Sequence, residues 1–183
     1  MKELMRNPDS FCKILELTVS AMDLDEIMIR VVDEMRELFD CDRCTLYVVD
    51  KKANELYARV GEESVVGIRL PVNRTTSIAG YVAVTGNEVM IEDVYDEKEL
   101  KEIDKNMSFF RGADEKTSFR TEQMIAAPLR MSGEVIGVIQ AMNKPGGFLK
   151  KDLCAMKEFS PVLALALNHA LLVKEVAGCS CKA

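Results

Sequence analysis

From residue 23 onward the apolar positions Leu24, Ile27, Met28, Val31, Met35, Leu38 and Phe39 fall on one face of a 3.6-residue period, and Asp23 with Glu26 forms a capping pair ahead of them. The spacing predicts an amphipathic helix over 23–39. Phe11, Ile14, Leu15, Thr18 and Val19 predict a shorter helix over about 9–21, opened by Pro8 or Asp9. The pattern then changes: "RCTLYVVD" (43–50) and "ELYARV" (55–60) are β-branched and aromatic runs separated by the polar turn "DKKAN", which reads as a hairpin. "GIRLPV" is a third short strand. "NRTTSIAGYVAVTG" opens a short helix on its Thr/Ser cluster and closes it at Gly86, and "EVMI" is a fourth strand.

Residues 93–121 are the least regular, an acidic helical patch "DEKELKEIDKNM" followed by "FFRGADEKTSFRT", which is neither a clean helix nor a clean strand. "EQMIAAPLRM" and "GEVIGVIQAMN" then predict two long strands around the turn Ser132-Gly133. A long helix from about 149 to 176 ends the pattern. Its stretch "VLALALNHALL" is apolar on nearly every side, so one face is expected on the sheet and the other on a partner chain, no remaining segment being left to cover it. A homodimer through the N- and C-terminal helices follows. Pro161 is expected to kink this helix, and 177–183 to be a disordered tail after a single domain over 1–176. The order of elements gives an α+β layer architecture, a mostly antiparallel sheet flanked by helices, with a cavity expected between the sheet and the irregular insert.

At 183 residues and 48% hydrophobic, the chain suits one domain with one good core. A net charge of -6 and a pI near 5.0, with no Lys/Arg block, exclude a nucleic-acid partner, while a helix N-terminus remains able to take a small anion. No run is expected to reach the roughly 18 apolar residues of a membrane span, and the N-terminus has no signal core, so the expected location is cytoplasmic. The six cysteines, Cys12, Cys41, Cys44, Cys154, Cys179 and Cys181, are then expected to be reduced.

The stretches "DRCTLYVVD", "SIAGYVAVTG", "FFRGADEKTSFRTEQMIAAPL" and "GEVIGVIQAMNK", the last followed by Phe148 and Asp152, resemble the GAF domain over about residues 11–175. The resemblance is closest to the cyclic-nucleotide-binding GAF domains of phosphodiesterases and bacterial adenylyl cyclases. Residues 109–121 match that family's lid, F-aromatic-R-G-x-D-x-x-T-x-F-x-T, at every position. Asn143, Lys144, Phe148 and Asp152 fit its N-K-(x)n-F-x-x-x-D-E signature, with Leu153 in place of the final acidic residue. The resemblance implies a PAS-related fold with a six-stranded sheet, terminal helices on one face and a ligand pocket on the other. It also implies a Lys144–Asp152 ion pair near the pocket.

Carried over residue by residue, the resemblance places the amides of Ile78 and Ala79 against a cyclic phosphate, with Ala79 and Gly80 small enough for close approach. Phe110 packs on the ligand, and Asp114, Thr117 and Thr121 contact it from the lid. Thr45 reaches from the first strand and Gln140 lines the floor. Members that bind cyclic GMP carry an aromatic residue and Asp where this chain has Gly61 and Glu62, so the stacking ring is missing and Glu62 is left to accept from a base. The implied ligand is cyclic GMP or cyclic AMP, with no cofactor required. The effector of such a sensor is absent from these 183 residues, so the chain is expected to be an excised domain or to act through a partner.

A competing reading makes the lid a permanent part of the core and the chain a ligand-free dimerisation or partner-interaction module. Cys41 and Cys44 form C-x-x-C, but Cys44 begins a strand, which favours a structural role. His169, the one histidine, lies on the last helix with no second histidine to share a metal, and Cys179 and Cys181 sit in the tail. No nucleophile, base and orienting group can be assembled, and the lid holds no cysteine of the kind used by methionine sulfoxide reductases or bilin-binding relatives. Catalysis is not expected.

Overall fold

A computed structural model describes residues 7–19, 23–60, 66–117 and 119–180. Helices α1 (Pro8–Val19) and α2 (Leu24–Phe39) are followed by strands β1 (Arg43–Asp50), β2 (Glu55–Val60) and β3 (Val66–Pro71), and by helix α3 (Ile78–Thr85). Strand β4 (Val89–Ile91), helices α4 (Glu97–Ile103) and α5 (Gly112–Thr117), strands β5 (Met124–Met131) and β6 (Glu134–Met142) and helix α6 (Lys150–Ser180) complete the chain. Asp23 caps α2 by accepting from the Glu26 amide at 2.9 Å, and α2 stops where Asp40 turns left-handed at φ 48°.

One six-stranded sheet holds the order β3-β2-β1-β6-β5-β4, every neighbour antiparallel. The central strands are buried on both faces, so alternate residues serve different cores. Cys44, Leu46 and Val48 of β1, with Ile139 and Ala141 of β6, pack under α1, α2 and α6 against Ile27, Met35, Phe159, Leu163 and Leu167. The opposite face carries Tyr47, Val138, Met142 and Met124 beneath α3 and the 89–119 segment. Gly137 permits the closest approach of α6: a Cβ there would lie 2.6 Å from both Leu167 Cδ2 and the Tyr47 carbonyl.

Three expectations are corrected. The second face of α6 is covered largely by α1 and α2 of the same chain, because the two N-terminal helices lie in its layer; Leu165, Leu172 and Val176 remain exposed. The helix, which contains Pro161, runs on to Ser180, so the first residues of the expected tail are helical, and Cys181 lies outside the described residues. By length and composition α6 is apolar enough to cross a membrane, contrary to the expectation that no such run exists. Here it packs on β5, α1 and α2, as the core helix of a layered domain does.

Candidate functional site

Residues 43, 45 and 47 of β1 point to the face away from α6, and β6 places Gln140 directly opposite Thr45. Thr45 and Gln140 are both buried and form a polar patch in the floor of a cavity. One wall is the start of α3. Ser77 caps that helix, its hydroxyl accepting from the Gly80 amide at 3.0 Å, and the cavity is lined by Ser77, Ile78 and Ala79. The amides of Ile78 and Ala79 belong to the first turn, where no carbonyl within the helix reaches them. Gly80 does not face the cavity as expected. Its Cα lies under the loop before α3, where a Cβ would meet the Asn73 carbonyl at 2.4 Å.

The roof is residues 109–121, which contain a helical turn, α5, that the sequence pattern did not predict because six residues are too few to show a period. Phe109, Phe110, Ala113, Asp114 and Thr121 line the cavity from this side. The Phe110 ring lies against Gly112, where a Cβ would stand 2.6 Å from the ring. Asp114 is buried and accepts three hydrogen bonds: from the Thr121 amide at 2.8 Å, the Thr121 hydroxyl at 2.7 Å and the Tyr95 hydroxyl at 2.9 Å. Asp114 and Thr121 therefore bond to each other, as a latch from α5 to the start of β5. Thr117 ends α5, with its side chain outside the described residues, and Glu62 is outside them entirely.

Sequence reasoning missed Tyr95, Arg43 and Gln123. Besides holding Asp114, the Tyr95 ring meets Phe109 edge-on at 5.3 Å and lies under the guanidinium groups of Arg111 and Arg120 at 5.0 and 4.5 Å. Burial and the bond to Asp114 push its phenol pKa up. Arg43 lines the cavity with its guanidinium 3.9 Å from the Phe119 ring centre. Burial lowers its pKa, opposed by nearby Asp114, and burial pushes the adjacent Tyr47 phenol up. No motif marks these residues, since their partners are far away in sequence.

The Asn143, Lys144, Phe148 and Asp152 set lies beside the lid's exit from the sheet. Lys144 Nζ stands 3.3 Å from Asp152 Oδ1, the expected ion pair, and donates to the Phe39 carbonyl at 2.7 Å. The other Asp152 oxygen accepts from the Leu149 amide at 2.7 Å, which organises the start of α6 without the missing acidic residue at 153. Asn143, left-handed at φ 57°, donates to the Arg120 carbonyl and accepts from the Glu122 amide, both at 2.8 Å. Gln123 accepts from the Phe148 amide at 2.8 Å and donates to the Lys144 carbonyl at 3.0 Å. None of these four signature residues lines the cavity.

The cavity measures about 30 Å3, room for about two water molecules. Cys41 and Cys44 lie on the helix-covered side of the sheet, away from it, and Cys12 and Cys154 are exposed on α1 and α6. Among the described residues no group of three or more His, Cys, Asp or Glu side chains could hold a metal ion.

The family model of the GAF domain matches residues 23–167. The chain belongs to the GAF family. Among curated relatives, this GAF domain is 32% identical over 167 residues to "Probable 3',5'-cyclic phosphodiesterase pde-5" of Caenorhabditis elegans, covering 85% of this chain and 22% of that protein. It is 26% identical over 177 residues to "Dual 3',5'-cyclic-AMP and -GMP phosphodiesterase 11A" of Takifugu rubripes, covering 88% and 18%. The chain thus spans about a fifth of the length of these relatives. Among solved structures, the GAF domain of an Acinetobacter phosphoenolpyruvate-protein phosphotransferase superposes with a TM-score of 0.70 at 16% identity, covering 92% of this chain and 96% of that one. The free methionine-R-sulfoxide reductase of Neisseria meningitidis gives 0.66 at 18%, covering 88% of each. At such identities the two structures establish the shared GAF fold.

Proposed function

We propose that this GAF domain is a small-ligand-sensing regulatory domain that closes residues 109–121 over a cyclic nucleotide, cyclic GMP or cyclic AMP. The observation that carries the reading is convergence: the first amides of α3, the Thr45 and Gln140 pair and the Asp114–Thr121 latch all border one cavity. In this reading the cyclic phosphate lies against Ile78 and Ala79, where first-turn amides with no partner inside the helix and the helix dipole favour an anion. Phe110 packs on the ligand, while Thr45, Gln140, Glu62 and the lid residues Asp114, Thr117 and Thr121 bond its polar edges. The names of the curated relatives support the ligand class.

Ligand pockets run to roughly 300–1,000 Å3, so a nucleotide enters only if the lid swings outward and Phe110 leaves Gly112. Closing on the ligand then biases the terminal helices, through which the domain pairs as a homodimer and signals to an effector. A second reading, a ligand-free dimerisation module in the same fold, is favoured by the small cavity and by an Asp114 carboxylate already holding three donors.

Thermal unfolding with each nucleotide in large excess separates the two. At about 100 times its dissociation constant a ligand adds roughly 2.7 kcal/mol and raises the midpoint by a few degrees. A rise with one nucleotide supports the sensor and names its base; no rise with either leaves the dimerisation module.

A further inference from the structure

We propose that Cys41 and Cys44 form a hydroperoxide-sensitive dithiol whose oxidation to a disulfide displaces Asp42 and Arg43 and so loosens the lid. The two sulfurs stand 3.6 Å apart, both buried, with Cys41 in the turn after α2 and Cys44 at the start of β1. A disulfide needs about 2.05 Å, so the pair lacks about 1.5 Å of approach. A soft-metal site is not the alternative, because these two thiols have no third ligand among the described residues.

The pair is electrically asymmetric, as a reacting dithiol requires. Cys41 follows a helix and gains nothing from a helix N-terminus. Its thiol pKa is nonetheless lowered, first by a hydrogen bond from Cys44, then by the Met142 backbone and the Lys144 ammonium. In the neutral form its S–H has the Arg43 carbonyl at 3.5 Å. Burial holds the Cys44 thiol well above its usual range, so Cys41 is the more acidic of the two.

The chemistry closes with one oxidant. The Cys41 thiolate attacks the O–O bond of a hydroperoxide, giving a sulfenic acid and an alkoxide or hydroxide, which takes up a proton. Cys44, losing its proton, then attacks the Cys41 sulfur and expels the sulfenic oxygen as water. Two thiols and one hydroperoxide become a disulfide, an alcohol or water, and a further water; a dithiol reductant reverses it. The burial of the pair favours a small peroxide over a bulky disulfide as the oxidant.

The two residues enclosed by the new bond are those that reach the lid. The Asp42 amide donates to the Asn143 carbonyl at 3.0 Å, and the Asn143 side chain holds Arg120 and Glu122. Arg43 lies on Phe119. Shortening the turn from 41 to 44 pulls on both contacts at the base of the 109–121 segment.

The test uses the full chain with C12S, C154S, C179S and C181S, which leaves the pair intact, treated with hydrogen peroxide and digested with trypsin without reduction. Cleavage after Arg36, Arg43 and Lys51 yields peptides 37–43 and 44–51, one cysteine in each. The expected product is the two joined, or uncut 37–51 about 2 Da lighter than its dithiol, either form lost on adding dithiothreitol. Recovery of the two as separate thiols or sulfinic acids overturns the dithiol. Hydrogen exchange in 109–121 should then quicken about tenfold on oxidation, and unchanged exchange overturns the coupling. Adding C44A, or C41S if that variant does not fold, should abolish both effects; a lid that still quickens under peroxide overturns it as well.

Discussion

Asp114→Ala is the perturbation that separates a latch from an ordinary piece of core. The carboxylate accepts from the Thr121 amide, the Thr121 hydroxyl and the Tyr95 hydroxyl, at 2.7 to 2.9 Å. Hydrogen bonds to a charged group are each worth about 1.5–3 kcal/mol net, but the three losses do not add. Both hydroxyls can rotate, and Tyr95 sits near solvent, so the substitution strands chiefly the Thr121 amide in a buried position. An orphaned buried donor costs about 1–3 kcal/mol; with the weaker loss at the hydroxyls, about 3 kcal/mol is the expected cost.

That cost should fall on the lid. The described apolar residues of 109–121 pack on the cavity side, and none of them belongs to the core under α1, α2 and α6, so the opening of this segment is a local event. Hydrogen exchange read by mass spectrometry should show the lid amides faster by about a hundredfold, since 1.4 kcal/mol is a factor of ten. Amides of β1, β6 and α6 should exchange as before. Lid exchange equal in both proteins would refute the latch; equal acceleration of the central strands would show the lid to be part of the global core, and the ligand-free reading would gain.

Gly137→Ala drives a methyl to 2.6 Å from the Tyr47 carbonyl and Leu167, and should lower stability in urea by about 1–3 kcal/mol; an unchanged midpoint would contradict the packing of α6 on β6. A cycle of Lys144→Ala and Asp152→Ala should show a coupling of about 1–3 kcal/mol, because this pair is mostly buried, and additive losses would count against the ion pair. Leu165→Asp, on the exposed stripe of α6, should leave a folded monomer by sedimentation; a dimer of unchanged mass would sink the α6 contact. Leu167→Asp, by contrast, buries a charge on the sheet and should unfold the domain, so it cannot report on assembly.

How far the sequence can be read depends on the distance over which each signal acts. The Asp23 cap of α2, the left-handed Gly86 that ends α3 and the Ser132-Gly133 turn are local, and the structure places each where the pattern did. Tyr95 carried no signal because its meaning arises only when Asp114, nineteen residues on, folds over it. The covering of α6 was misread for a related reason: an all-apolar stretch reports that its faces are hidden and says nothing about whether α1 or another chain hides them. The lid was visible as a motif but its state was not. Residues that would bond a ligand, Asp114 and Thr121, bond each other in the closed form, so the same side chains serve as latch and as candidate contacts. A ligand able to open this lid must replace those bonds with its own, and the exchange measurement on Asp114→Ala gives the size of what it must replace.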